Sequence, residues 1–110
     1  MSSKLLIVIA TGDREKALAG LMYARNALRN KWLGDVKVVF FGPSEKLAAC
    51  DGEVSSSMKD IVAMTDCFAC KAISDHENVS EDLAKIGMKV EYVGTIISDC
   101  IEKGYVPMVW

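Results

Sequence analysis

The chain lacks any long apolar run. Its most hydrophobic stretch, Leu5 to Ala10, is six residues behind a single lysine. That is shorter than a signal-peptide core and far short of the roughly 20 residues a membrane span needs. The expectation is a soluble, cytoplasmic protein with no membrane partner. Charge of one sign is lacking too: 13 Lys and Arg oppose 15 Asp and Glu, for a net charge of −2, and basic residues never run beyond isolated pairs. A protein held by phosphate contacts needs a positive face, so direct nucleic-acid binding is disfavoured. There is one histidine, His76, and no second C-x-x-C or H-x-x-H to complete the zinc site that Cys67, Cys70 and His76 could begin. The turn after the first apolar run reads ATGDREKA, neither G-x-G-x-x-G nor G-x-x-x-x-G-K, and Asp13 would repel a pyrophosphate. Dinucleotide and nucleoside-triphosphate binding are therefore not expected, and no repeat or low-complexity tract points to a solenoid or linker.

What is present fits one domain over residues 1–110, with 51% apolar and 25% charged residues. Lys4 to Thr11 is nearly continuous apolar and β-branched, the pattern of a strand buried on both faces, and is expected at the centre of a parallel sheet. Asp13 is a candidate N-cap and Gly34 a candidate stop for a long helix that turns Leu18, Leu21, Met22, Leu28 and Trp32 inward. Val36 to Phe41 predicts a second strand, Ser44 to Ala49 a short helix, and Met58, Ile61 and Val62 a longer one. A short strand through Phe68 and Ala69 turns into a helix at about Cys70. Ser80 to Ile86 forms a further helix or turn, Lys89 to Val93 a fourth strand, and Thr95 to Lys103 a helix with Ile96, Ile97, Cys100 and Ile101 inward. Tyr105 to Trp110 is the last strand, placed at an edge because Pro107 cannot donate a ladder hydrogen bond. Strands alternating with helices predict a three-layer α/β/α sandwich around a mainly parallel five-stranded sheet.

Ligand crevices in such sheets lie beyond the carboxyl ends of the strands, here Thr11 to Asp13, Gly42 to Ser44, Cys70 to Ala72 and Gly94-Thr95. Among these, Cys70 is the one obvious nucleophile. At a helix start its thiolate would be favoured by unpaired N–H groups and the helix dipole. Cys67 and Cys70 share a C-x-x-C spacing, but side chains three apart on a strand point to opposite faces. A dithiol redox pair is thus a third alternative, with Cys67 as a possible second thiol. His76 is expected to face solvent between Asp75 and Glu77, Cys100 to be core, Cys50 to lie in an exposed loop, and the methionines at 22, 58, 64 and 88 to fill core gaps.

The stretch CKAISDHENVSEDL, Cys70 to Leu83, preceded by DCFA, resembles the DsrE/DsrF family of small sulfur-metabolism proteins, with TusD- and YchN-like members. The order of elements matches over essentially the whole chain. The resemblance implies a single Cys, here Cys70, that carries a persulfide between sulfur donor and acceptor proteins, and homo-oligomers, as trimers or hexamers. Asn78 stands where the family usually has Gly, and Asp75, His76 and Glu77 stand where basic residues are usual. The apolar Tyr105 to Trp110 edge also favours assembly with further copies. The expected function is a sulfur relay through Cys70, possessing sulfurtransferase-like chemistry and calling for no metal or organic cofactor. The alternative is a non-catalytic small-ligand-binding or assembly module on the same fold.

Overall fold

The computed structural model describes residues 3–110. Six helices alternate with five strands: β1 (Lys4–Ile9), α1 (Arg14–Arg29), β2 (Asp35–Phe40), α2 (Ser44–Cys50), α3 (Gly52–Val62), β3 (Cys67–Cys70), α4 (Lys71–His76), α5 (Ser80–Ile86), β4 (Lys89–Glu91), α6 (Val93–Glu102) and β5 (Tyr105–Val109). The strands form one sheet in the order β4-β3-β2-β1-β5, and every neighbouring pair is parallel. The middle strand is β2 rather than β1, because three successive crossovers step in one direction and only the last returns past the start. The edge position of β5 agrees with Pro107.

Parallel crossovers are right-handed, so the three connections that step the same way stack their helices on one face. That face carries the larger core, where Ile7 and Ile9 of β1, Val38 and Phe40 of β2 and Cys67 and Ala69 of β3 meet α1, α3 and α5. The return from β4 to β5 lays α6 across the other face. There Leu6, Val8, Val39 and Cys70 meet Val93 and Cys100, flanked by Ile96 and Ile97. These α6 residues follow the i, i+3, i+4, i+7 spacing of one helical stripe. Ile101, expected inward, falls off that stripe and is exposed. A single ten-residue helix therefore forms the third layer, and it leaves Phe41 and Val109 exposed.

Asp13 caps α1 as expected, accepting from the N–H groups of Glu15 and Lys16. The buried stripe of α1, however, is Ala17, Gly20, Leu21, Ala24 and Ala27, while Met22 and Trp32 are exposed. Small residues let the helix lie close to the sheet. A Cβ on Gly20 would come within 2.7 Å of the Trp110 ring and 2.9 Å of Ile9. The helix ends at Arg29, before Gly34, and Met64 is likewise exposed, so only Met58 and Met88 of the four methionines fill the core. The fourth strand stops at Glu91, because Val93 opens α6 and packs on the second face. Among the described residues no helix is long and apolar enough to cross a membrane.

Candidate functional site

The gap between β1 and β5 is where the chain reverses its direction of travel across the sheet, and crevices at such switch points commonly bind ligands. Here Trp110 closes it. The Trp110 carbonyl accepts from the N–H groups of Ala10 (2.8 Å) and Thr11 (3.2 Å), and its own N–H donates to the Val8 carbonyl at 2.8 Å. Thr11 to Asp13 are thus committed to the fold. The open space lies one gap further along, beyond β2 and β3, as a cleft of about 530 Å³ between the starts of α2 and α4. Pro43, Ala72 and Ile73 supply its apolar wall, and Lys46, His76 and Glu77 its polar groups. Of the crevice residues expected from sequence, Gly42-Pro43 and Ala72 come together here, whereas Gly94 and Thr95 stand apart at the start of α6.

The loop into α2 is shaped by two buried polar residues. Ser44 donates its hydroxyl to the Ile9 carbonyl, tying α2 to β1. Glu45 folds back in the manner of a capping box, accepting from the Gly42 N–H at 3.4 Å. Gly42 has φ +125, and a Cβ there would meet the Ala10 carbonyl at 3.0 Å, so the backbone requires glycine. Glu45 is wholly inside the protein, and its Oε1 has no hydrogen-bond partner. Burial pushes its carboxyl up to about 7, against the opposing pull of the Gly42 and Cys70 N–H groups. A carboxyl that titrates near neutrality thus stands behind the main chain of Cys70. Sequence reasoning missed it, because an acid in the first turn of a seven-residue helix reads as an ordinary solvated charge.

Cys70 closes β3 and is the N-cap of α4, though its sulfur makes no capping hydrogen bond. Its side chain lies on the second face with Val8, Val39 and Val93 and is 7% exposed. Ile73 packs against this cluster and also lines the cleft, so the core that holds the thiol and the open space share a side chain. The α4 helix ends at His76 with Glu77 as its C-cap, and Asn78 takes φ 59, the left-handed conformation in which Asn replaces Gly at low cost.

Cys67 belongs to the core of the opposite face and is 1% exposed. Its thiol donates to the Thr65 carbonyl at 3.6 Å, and burial, with the Asp66 charge adding, pushes it up to about 12. The two sulfurs of the C-x-x-C spacing therefore face apart, and all four cysteines are free. Cys100 is buried at the far end of α6, where burial raises its pKa. Cys50 is the exposed last residue of α2 rather than part of a loop. His76 is exposed on the cleft rim. Among the described residues no three His, Cys, Asp or Glu side chains are grouped to hold a metal ion.

No protein-family model matches this chain, and no curated protein matches it in sequence. Two solved structures share the fold. BT1422 of Bacteroides thetaiotaomicron, a conserved protein of unknown function, superposes with a TM-score of 0.85 over 97% of this chain and 95% of its own, at 21% identity. MTH1491 of Methanobacterium thermoautotrophicum, also of unknown function, gives a TM-score of 0.68 over 99% of this chain and 100% of its own, at 17% identity.

Proposed function

We propose that the protein is an intracellular, cytoplasmic sulfur carrier of the DsrE/DsrF type. In this reading Cys70 accepts sulfane sulfur from a donor and passes it to the thiolate of an acceptor protein. The observation that carries it is the position of Cys70. It is the one cysteine at the carboxyl end of a strand, and Ile73, packed against its cluster, also lines the cleft. Transfer between thiols needs no metal or organic cofactor, because thiolate fraction, leaving-group pKa and access govern it. Four free cysteines suit a reducing compartment. Phe41 and Val109, exposed on the thinly covered face, supply an apolar surface for assembly of further copies into a trimer or hexamer.

Mass analysis after exposure to a persulfide donor tests the carrier role. Wild type should gain one sulfur and Cys70→Ser none; a gain that survives in Cys70→Ser removes Cys70 from the mechanism. The near-complete burial of Cys70 favours a second reading, a binding module in which the cleft takes a small ligand and the thiol only packs. Slow alkylation of Cys70 together with no sulfur gain would select the module.

A further inference from the structure

The cleft is asymmetric in charge. Lys46 stands on the α2 side and Glu77 at the end of α4, and none of the nine ion pairs among the described residues uses Lys46, His76 or Glu77. Lys71 and Asp75, on the same short helix, are by contrast paired with each other at 2.7 Å. Past Glu77 a second depression of about 370 Å³ is lined by Asn78, Ser80, Glu81, Asp82 and the paired Asp75. The α2 side of the cleft thus offers an uncommitted cation and the α4 side an uncommitted carboxylate. Between them run the apolar side chains of Pro43, Ala72 and Ile73. A volume of about 530 Å³ is that of a small-molecule site.

We propose that this cleft receives a low-mass zwitterion, an amino acid or short peptide, with its carboxylate at Lys46 and its ammonium toward Glu77. Resting on the carrier reading above, the bound molecule is the sulfur donor in persulfide form, R–S–SH, and its sulfur passes over Ile73 toward Cys70. The Cys70 sulfur attacks the outer, sulfane sulfur. The donor S–S bond breaks as the new Cys70 S–S bond forms, and the R–S⁻ leaving group takes up the proton released from the Cys70 thiol. The products are Cys70–S–SH and R–SH, with no net oxidation. Glu77, which has no ion-pair partner among the described residues, repels a purely anionic donor but attracts one that carries an ammonium group.

Two measurements on the full chain separate the claims. The first is titration with S-methylcysteine, a zwitterion with no sulfur to transfer, followed by NMR. It should shift the Ala72 and Ile73 amides, and Lys46→Met or Glu77→Gln should weaken binding about two- to five-fold each, the effect of one exposed ion pair. No saturable shift, or shifts indifferent to both variants, overturns the cleft assignment. The second is the initial rate of sulfur gain from cysteine persulfide and from inorganic polysulfide. The two variants should slow loading from the first by a similar factor and leave the second unchanged; equal effects on both donors overturn the donor assignment. Binding of S-methylcysteine with no loading from either donor sinks the carrier reading while the zwitterion site stands.

Discussion

Replacing Glu45 by Gln removes one titrating group while keeping its shape, and the result can be worked out in sign and size. The wild-type carboxyl is wholly buried, its Oε1 is unpartnered, and its pKa is raised from the ordinary 4.5 to about 7. An acid that holds its proton more tightly when folded stabilises the native state at low pH. That contribution is complete below about 4.5, declines as pH rises, and is gone above about 7, because there the folded state must carry a buried, poorly solvated charge. At about 1.4 kcal/mol per pKa unit, a rise from 4.5 to about 7 makes the full swing of order 3 kcal/mol.

The assay is urea denaturation of wild type and Glu45→Gln at intervals from pH 4.5 to 8.5. Asp35, Asp51 and Asp75, whose carboxyls are lowered by their partners, also give the wild type a pH slope, lost toward acid. That slope is common to both proteins and cancels in the difference. The difference should be flat near pH 4.5, climb in favour of the variant through pH 5 to 7, and level off above. A constant offset at every pH would mean that Glu45 is already paired or hydrated, and a difference climbing the other way would mean that the Gly42 and Cys70 N–H groups hold it as a stable anion. Either outcome refutes the picture of a desolvated carboxyl behind Cys70.

Gly20→Ala should lower stability despite a helix-propensity gain of about 1 kcal/mol, because the new Cβ meets the Trp110 ring and Ile9 inside 3 Å. Overpacking of this kind costs ~1–3 kcal/mol, and a raised melting temperature would contradict the close approach. Ile73→Ala should speed alkylation of Cys70 several-fold by opening the wall to the cleft, at a cost of about 1–2 kcal/mol for a half-buried chain; an unchanged rate would show that the thiol reaches solvent by another route. Under native conditions at pH 8, Cys50 should label first and Cys67 only on unfolding, given its burial and a pKa of about 12. Labelling of Cys67 in step with Cys50, read by peptide mass mapping, would count against that order.

The strands were legible because parallel-sheet strands buried on both faces are near-continuous apolar runs; Leu5 to Ile9 is such a run, and Val36 to Phe40 is broken only by Lys37. Their order was not, since sequence patterning fixes neither the direction of each crossover nor which strand ends up in the middle. Met22 and Trp32 read as inward from sequence because they are large and apolar, while the stripe that meets the sheet is Leu21 among the small residues Ala17, Gly20, Ala24 and Ala27. Cys70 could be placed at a strand end from its neighbours. Glu45 could not: nothing local marks a glutamate for burial, and what buries it is the meeting of the Gly42 turn with the end of β3, which are 25 or more residues apart in the chain.

That meeting also explains why the open space is one gap away from the switch point of the sheet. A crevice at strand ends binds through main-chain N–H groups left unpaired where the chain turns from strand to helix. At β1 those of Ala10 and Thr11 are taken by the Trp110 carbonyl in short hydrogen bonds, and the Trp110 ring is held over Gly20 with no room for a Cβ. At β2 the Gly42 N–H has only a long 3.4 Å bond to a carboxylate that is itself under-partnered. The first gap is closed by main-chain contacts, while at the second the Gly42 N–H is only weakly held. The cleft thus opens beside the part of the strand-end rim that carries Gly42, Glu45 and Cys70.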